Sequence, residues 1–174
     1  MQQNFLLSLI IRPPRSPYPN DAGTTLTVNC GGIQCTQDNF IIKNQRQEDL
    51  HCSFTTLANQ PADAAGRPCV IYMHGNAGNK HEGNSLAPVI LPLGIDLFTF
   101  DFSGCGNSQG DWVTLGWKET DDLLTVLNWL VQRNTTKVVF WGRSMGGSTA
   151  LRFNHINSPI PVAGLIIDSA FCRF

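Results

Sequence analysis

The strongest chemical signal in the sequence is a serine with one glycine two positions before it and another two positions after it. The segment Gly142-Arg143-Ser144-Met145-Gly146 fits G-x-S-x-G, the nucleophile elbow, which presents a serine hydroxyl on a strained turn. Gly142 and Gly146 suit such a turn because a Cβ at either position would collide with nearby backbone. The pattern predicts that Ser144 is a nucleophile for acyl transfer.

The sequence around this serine favours an elbow over an ordinary glycine-rich turn. The G-x-S-x-G pattern by itself arises by chance in about 5% of chains of this length at ordinary composition. Here an apolar run at residues 138–141 precedes it and a helix-forming run at residues 148–153 follows it, which is the strand-turn-helix context that the elbow requires. We therefore expect Ser144 to have a positive φ, between a strand that ends near residue 141 or 142 and a helix that begins near Met145.

A second loop carries groups suited to stabilising an oxyanion. His74, Gly75 and Asn76 follow an apolar run at residues 69–73, where a parallel sheet places a loop whose backbone N–H groups face the nucleophile. We expect the N–H groups of Asn76 and Met145 to form a two-donor oxyanion hole. For His74 we favour hydrogen bonding to the loop backbone over a catalytic role.

A third loop, residues 101–108, contains two glycines and follows another apolar run. No third glycine, following helix, or Lys-Ser or Lys-Thr pair accompanies its Gly-x-Gly, so neither nucleotide-binding fingerprint is met. We interpret this loop as a structural turn near the rim of the site, and Cys105 within it as an ordinary unpaired thiol. A nucleotide-binding module is therefore disfavoured.

These loops need a parallel sheet to bring them together. Between the runs at residues 97–100 and 138–141, apolar residues recur at helical spacing, with acidic residues in the first turn of the expected helix. Short continuous apolar runs are typical of strands that are covered on both faces. The sequence predicts an α/β fold with four parallel strands, at residues 69–73, 97–100, 138–141 and 164–167.

Two β-rich pieces, at residues 40–42 and 52–57, precede the parallel strands. The polar stretch between them, residues 44–49, suits a hairpin turn. We expect an antiparallel hairpin at the edge of the sheet. Because residues 13–32 are rich in Pro, Asn, Asp and Gly, residues 1–32 are expected to form an irregular lead-in and residues 33–174 the domain.

Composition argues against several classes of protein. The net charge of −1 offers no cationic face for a nucleic acid partner. No apolar run approaches the 18 or so residues of a transmembrane helix, and the first residues lack the basic segment and cleavage site of a secretory signal. Six cysteines without a C-x-x-C pair favour reduced thiols in the cytoplasm and supply no metal site.

Taken together, these motifs resemble the α/β-hydrolase superfamily, and more narrowly the Bem46-like and ABHD17-like serine hydrolases of the serine aminopeptidase S33 type. The resemblance implies the N-terminal part of a three-layer αβα sheet, serine hydrolase activity, and no metal or organic cofactor. Ser144 carries over as the nucleophile, and Asn76 and Met145 carry over as backbone donors. The resemblance rests on residues 10–15, 69–76, 98–104, 115–117, 141–146 and 168–171.

The resemblance also implies two groups that this sequence does not supply. In the family order an acid follows a later strand, and a histidine comes later still in a domain of about 250 residues. His51, His81 and His155 all precede that region. Asp168 ends the fourth parallel strand, and we favour a turn-forming role for it over that of the acid. We expect a truncated serine hydrolase that is very weak as the chain stands.

The sequence leaves one alternative function and several substrates open. The alternative is a non-catalytic remnant that pairs along the exposed edge of its last strand, because an uncovered apolar edge invites another strand. For the enzyme, an ester, a thioester and a peptide all fit. The loops that set specificity in this superfamily mostly follow residue 174, so the expected partner is only a small-molecule acyl substrate or a peptide.

Overall fold

The computed structural model describes residues 8–58, 66–153 and 156–171. Within these ranges the chain forms a seven-stranded sheet, in the order β1-β2-β3-β5-β4-β6-β7. The strands are β1 (Thr25–Cys30), β2 (Ile33–Lys43), β3 (Asp49–Leu57), β4 (Cys69–Met73), β5 (Asp96–Phe100), β6 (Val138–Arg143) and β7 (Val162–Asp168).

The sheet has an antiparallel part and a parallel part. β1, β2 and β3 pair antiparallel, and β3 joins β5 in the same sense. β5, β4, β6 and β7 run parallel to one another, and every residue of β4 and β5 is buried, as expected for parallel strands that are covered on both faces. The predicted parallel strands and the hairpin between β2 and β3 are confirmed.

The prediction that residues 1–32 form an irregular lead-in is wrong for residues 25–30, because these residues form β1. This strand forms the edge of the sheet, so the predicted edge hairpin lies one strand further in. The connection between β1 and β2 is Gly31-Gly32, with φ of 63° and 89°, and positive φ at both central residues is what a two-residue type I′ hairpin turn requires. The Gly-Gly pair was the available signal, and the prolines and asparagines before it obscured it.

Helices cover both faces of the sheet, and β4 shows how the two cores are separated. Ile71 and Met73 pack in one apolar cluster with the two longest helices. Val70 and Tyr72 point to the other face and pack with a short helix, because successive side chains of a strand alternate. The three-layer αβα arrangement is therefore confirmed. The helices are α1 (His81–Asn84), α2 (Ala87–Ile90), α3 (Glu119–Val131) and α4 (Met145–Phe153).

The helix predicted between the second and third parallel strands is α3. Its buried apolar residues, Leu123, Val126, Leu127 and Leu130, recur at the spacing that places them on one face. None of the helices in the described parts of the chain has the length and apolar character needed to cross a membrane.

Candidate active site

The residues predicted to form the active site all lie at or just after the carboxyl ends of parallel strands. Residues 74–80, which we call the Asn76 loop, follow β4, the turn at Ser144 follows β6, and Asp168 ends β7. β4 pairs with β6 and β6 pairs with β7, all parallel, so the three strand ends lie along one edge of the sheet. This edge is where open α/β sheets bind their ligands.

Ser144 lies in the sharp turn that the sequence predicts. Its φ is 50°, β6 ends at Arg143 and α4 begins at Met145. A left-handed backbone costs a residue with a Cβ about 1–2 kcal/mol, so the turn needs support from its surroundings. The Ser144 N–H donates to the Asp168 carbonyl oxygen at 2.7 Å, and the Ser144 carbonyl oxygen accepts from the Ser148 N–H at 2.9 Å. The predicted conformation of the elbow is confirmed.

Both elbow glycines are required by close backbone packing. A Cβ added to Gly146 would lie 2.6 Å from the carbonyl carbon of Met73, at the end of β4. A Cβ added to Gly142 would lie 2.5 Å from the Gly147 nitrogen. Neither separation is compatible with van der Waals contact in a close-packed interior. The sequence-based reason for these glycines therefore agrees with the structure.

The Asn76 loop packs directly against the elbow. A Cβ added to Gly75 would lie 3.7 Å from the Ser144 Cβ, and Asn76 and Ser144 line the same cleft of about 400 Å³. Met145 is the first residue of α4, so its N–H has no acceptor within the helix. The prediction that this loop lies beside the elbow, and not at the opposite edge of the sheet, is confirmed.

His74 is buried and holds the shape of two loops. Its Nε2 accepts a hydrogen bond from the Phe102 N–H at 3.1 Å, and its Nδ1 lies 2.7 Å from the Gly75 carbonyl oxygen. A neutral ring with its proton on Nδ1 satisfies both contacts. Burial lowers the pKa of His74 below its usual value of 6.5, which favours this neutral form. These contacts agree with the loop-shaping role favoured from sequence.

Because the His74 pKa is lowered on folding, acidification should destabilise the protein. Its contribution is fully present above the unfolded-state value of 6.5 and is lost as the pH falls toward the lower folded-state pKa, by up to about 1.4 kcal/mol per pH unit. We expect urea unfolding at pH 7.5 and pH 5.5 to show a smaller drop in unfolding free energy for His74→Gln than for the unsubstituted chain. Equal drops in the two proteins would contradict this assignment.

The positions and contacts of His51 and His81 also suit structural roles. His51 lies on β3, three strands from β6 in the sheet, and burial lowers its pKa. His81 packs edge-on against the Tyr18 ring, with 4.4 Å between ring centroids, and its Nδ1 lies 3.3 Å from Asn84 Nδ2. His155 lies outside the described residues. We therefore assign no residue within the described ranges as the general base.

Asp168 supports the elbow through its backbone. Its carbonyl oxygen accepts the Ser144 N–H, while its exposed carboxylate accepts a hydrogen bond from the Ser169 hydroxyl at 2.7 Å. This arrangement suits the turn-forming role that we favour for Asp168 over the role of triad acid.

Cys105 is a buried thiol within the third loop. Its side chain is 1% exposed, and burial raises its pKa to about 12, so the reactive thiolate form is disfavoured. The interpretation of Cys105 as an ordinary cysteine agrees with these surroundings. The described residues also contain no group of three or more His, Cys, Asp or Glu side chains placed to hold a metal ion.

Three further polar residues, all from outside the Asn76 loop, line the cleft without having been predicted there. Ser16 comes from the N-terminal segment, Glu82 from α1, and Arg143 from the elbow itself. Arg143 Nη1 and Glu82 Oε1 form an ion pair at 3.1 Å, and Tyr72 donates to the other Glu82 oxygen at 3.0 Å. The position of Arg143 in the cleft could have been predicted, because this residue directly precedes Ser144 in the sequence. Ser16 and Glu82 reach the cleft only through tertiary packing.

Comparison with known proteins agrees with this geometry. A family model described as "alpha/beta hydrolase fold" matches residues 68–173. The chain is 30% identical over 145 residues to the lysophosphatidylserine lipase ABHD12 of Gallus gallus, covering 80% of this chain and 36% of that protein. It is 30% identical over 119 residues to protein bem46 of Schizosaccharomyces pombe, covering 66% of this chain and 39% of that protein. The chain thus spans about a third of the length of these relatives.

Solved structures show the same fold. The chain superposes on the Pyrococcus furiosus esterase PF2001 with a TM-score of 0.70 and 21% identity, covering 92% of this chain and 56% of the esterase. An esterase from Exiguobacterium antarcticum matches with a TM-score of 0.58 and 22% identity, over 75% of this chain and 44% of that one. Sheet order, elbow and family match agree, and the chain belongs to the alpha/beta hydrolase fold family.

Proposed function

We propose that this chain carries the nucleophile part of a serine hydrolase that cleaves carboxylic esters. The observation that carries the proposal is the position of Ser144, at a φ of 50° at the start of α4, in a cleft that it shares with Asn76. A hydroxyl on such a turn is accessible to an acyl carbon and adjacent to helix N–H groups. An alpha/beta hydrolase relative described as a lipase and structural neighbours described as esterases support an ester substrate over a peptide.

In the proposed reaction, Ser144 Oγ attacks the ester carbonyl carbon while a base removes the hydroxyl proton. The carbonyl π electrons move to oxygen, and the N–H groups of Asn76 and Met145 stabilise the resulting oxyanion. Collapse of this tetrahedral intermediate breaks the bond to the alcohol, which takes the proton from the protonated base. Water then attacks the acyl-enzyme by the same sequence, releasing the acid and restoring Ser144.

We propose that the base and its orienting acid come from sequence outside these 174 residues. Two observations support this assignment. His74 is occupied by backbone groups on both ring nitrogens, and the chain spans only about a third of its curated relatives. The whole protein would complete the triad by bringing a later histidine to the elbow.

A covalent labelling experiment tests the role of Ser144. A fluorophosphonate should add to Ser144 in a version of the protein that includes the rest of the domain, and mass spectrometry should place the adduct on that residue. Ser144→Ala should remove the adduct. Ser148→Ala is the matched control, because Ser148 lies one turn along α4 with its hydroxyl donating to the Phe171 carbonyl oxygen at 2.7 Å. An adduct that survives Ser144→Ala would refute the proposal.

The free edge of β7 supports a second candidate function, a module that binds another β-strand. β7 pairs with β6 and with no other strand among the described residues, and Ile166 on it is 43% exposed. An exposed apolar edge strand is a template for strand addition. If a full-length relative binds this edge, Ile166→Lys should abolish association in analytical ultracentrifugation. Ile156→Lys, at a residue 41% exposed outside the strand, should not, and equal binding by both variants would exclude this candidate.

A further inference from the structure

The N-terminal segment makes a series of contacts with the Asn76 loop that the proposed reaction does not by itself explain. We call residues 10–21 the strap. Asn76 Nδ2 donates to the Ile10 carbonyl oxygen at 3.1 Å. The Ser16 hydroxyl donates to the Ala77 carbonyl oxygen at 3.0 Å, and Asn79 Nδ2 donates to the Ser16 carbonyl oxygen at 2.9 Å. The strap therefore contacts the loop at three of four consecutive residues.

Lys80, at the end of the loop, is a buried cation whose partners include the strap. Its side chain is 1% exposed, and Nζ forms an ion pair with Asp21 Oδ1 at 2.9 Å. Nζ also donates to Asn39 Oδ1 at 3.2 Å and to the Cys52 carbonyl oxygen at 3.3 Å. A buried ammonium group is stable only when it is paired in this way. The Asp21–Lys80 pair is therefore a strong link between the strap and the loop.

The buried carboxylate of Asp101 forms a second link between the strap and the loop. Asp101 is fully buried, and its Oδ1 accepts the Lys80 backbone N–H at 2.6 Å. Its Oδ2 accepts the Tyr18 hydroxyl at 2.7 Å and the Asn107 N–H at 2.8 Å. Hydrogen bonds to a charged acceptor are shorter and stronger than neutral ones, so Tyr18 and Lys80 are held in fixed positions relative to each other.

We propose that the strap is a positioning device for the Asn76 loop, and that Lys80 and Asp21 are positioning residues for the oxyanion hole. The inference rests on the proposed function, because it assigns the Asn76 N–H to the oxyanion. Ala77, next to that donor, has a φ of 63°, which costs a residue with a Cβ about 1–2 kcal/mol. Contacts from outside the loop help to keep this conformation, and the strap supplies three hydrogen bonds of this kind.

The test removes the strap contact and compares it with a similar ion pair elsewhere. Asp21→Asn removes the charge of a carboxylate that is 21% exposed, and Lys80→Met removes the buried cation. The matched control is Arg67→Met, because Arg67 pairs with Asp96 at 3.0 Å with side chains only 18% and 11% exposed. That pair lies at the amino ends of β4 and β5, at the opposite end of these strands from the loop. Asp21→Asn keeps the test valid if Lys80→Met does not fold.

Two measurements separate this inference from the proposed function, one on the 174-residue chain and one on the version that includes the rest of the domain. In NMR relaxation, the backbone order parameters of residues 76–79 should fall from about 0.85 to below about 0.6 in Asp21→Asn and Lys80→Met, and stay unchanged in Arg67→Met. In the version that includes the rest of the domain, labelling of Ser144 by a fluorophosphonate, followed by mass spectrometry, should slow about tenfold or more with the first two substitutions, since loss of one oxyanion donor costs about 10²–10³ in rate.

The outcomes distinguish the positioning role of the strap from the proposed function of Ser144. Unchanged order parameters in both strap variants, or equal changes in Arg67→Met, would show that the strap does not position the loop. A loosened loop with an unchanged labelling rate would remove the assignment to the oxyanion hole. If the unsubstituted chain and its extended version form no adduct on Ser144, the proposed function fails, while the order parameters still decide whether the strap holds the loop.

Discussion

We expect this chain to react with a fluorophosphonate at Ser144 at least about 10⁴-fold more slowly than a version extended through the rest of the domain. His74 uses both ring nitrogens for loop contacts, and His51 lies three strands from β6. Without a base, the Ser144 hydroxyl is an ordinary alcohol, and only the oxyanion hole and binding contribute to its reactivity. The measurement is the second-order rate constant of adduct formation in both proteins.

The same experiment has three informative outcomes. Ser144→Ala in each protein sets the background rate. Rapid Ser144-dependent labelling of the short chain would overturn the prediction and direct attention to His155 or His74 as the base. Rapid labelling of the extended protein alone would support a triad completed by later sequence, and labelling of neither would favour the strand-binding module.

The second large effect is expected from Gly146→Ala. The added Cβ would lie 2.6 Å from the Met73 carbonyl carbon and closer still to the Met73 carbonyl oxygen. Because both groups are backbone, the clash is relieved only by moving α4 away from β4, which disturbs the elbow and the Asn76 loop together. Overpacking of this kind usually costs about 1–3 kcal/mol and more where backbone must shift, so we expect a loss of about 3 kcal/mol or more in unfolding free energy.

Gly164→Ala provides a matched control for this substitution. Gly164 lies in β7, and nothing stands within 4 Å of a Cβ added there. Alanine also lowers the conformational entropy of the unfolded chain, so this variant should be neutral or slightly more stable. Urea unfolding of the two variants measures the difference. If Gly146→Ala unfolds at the same urea concentration as Gly164→Ala, the close packing of α4 on β4 is not essential to the fold.

Local sequence patterns were sufficient for most of the fold. Strands that are buried on both faces must be short and apolar, so β4, β5 and β6 could be recognised without any structure. The elbow was recognisable because its glycines and serine form a short local pattern, although Gly146 is required by a contact with Met73, a residue distant in the sequence. β1 was missed because alternation in a short polar edge strand is a weak signal, and the stability of such a strand depends on its neighbour in the sheet.

The candidate site divides in the same way. The placement of Ser144, Asn76 and Met145 could be predicted from sequence because a strand-turn-helix pattern imposes these backbone positions. The strap, the Asp21–Lys80 pair and the cleft residues Ser16 and Glu82 could not, because they meet across 59 to 66 residues of sequence. A buried ion pair depends on where two distant segments are placed and on the exclusion of water around them. Sequence alone located the turn that carries the proposed nucleophile and the sheet that presents this turn. Only tertiary packing decided what holds the Asn76 loop beside it, because desolvation and charge pairing arise only when distant parts of the chain are brought together.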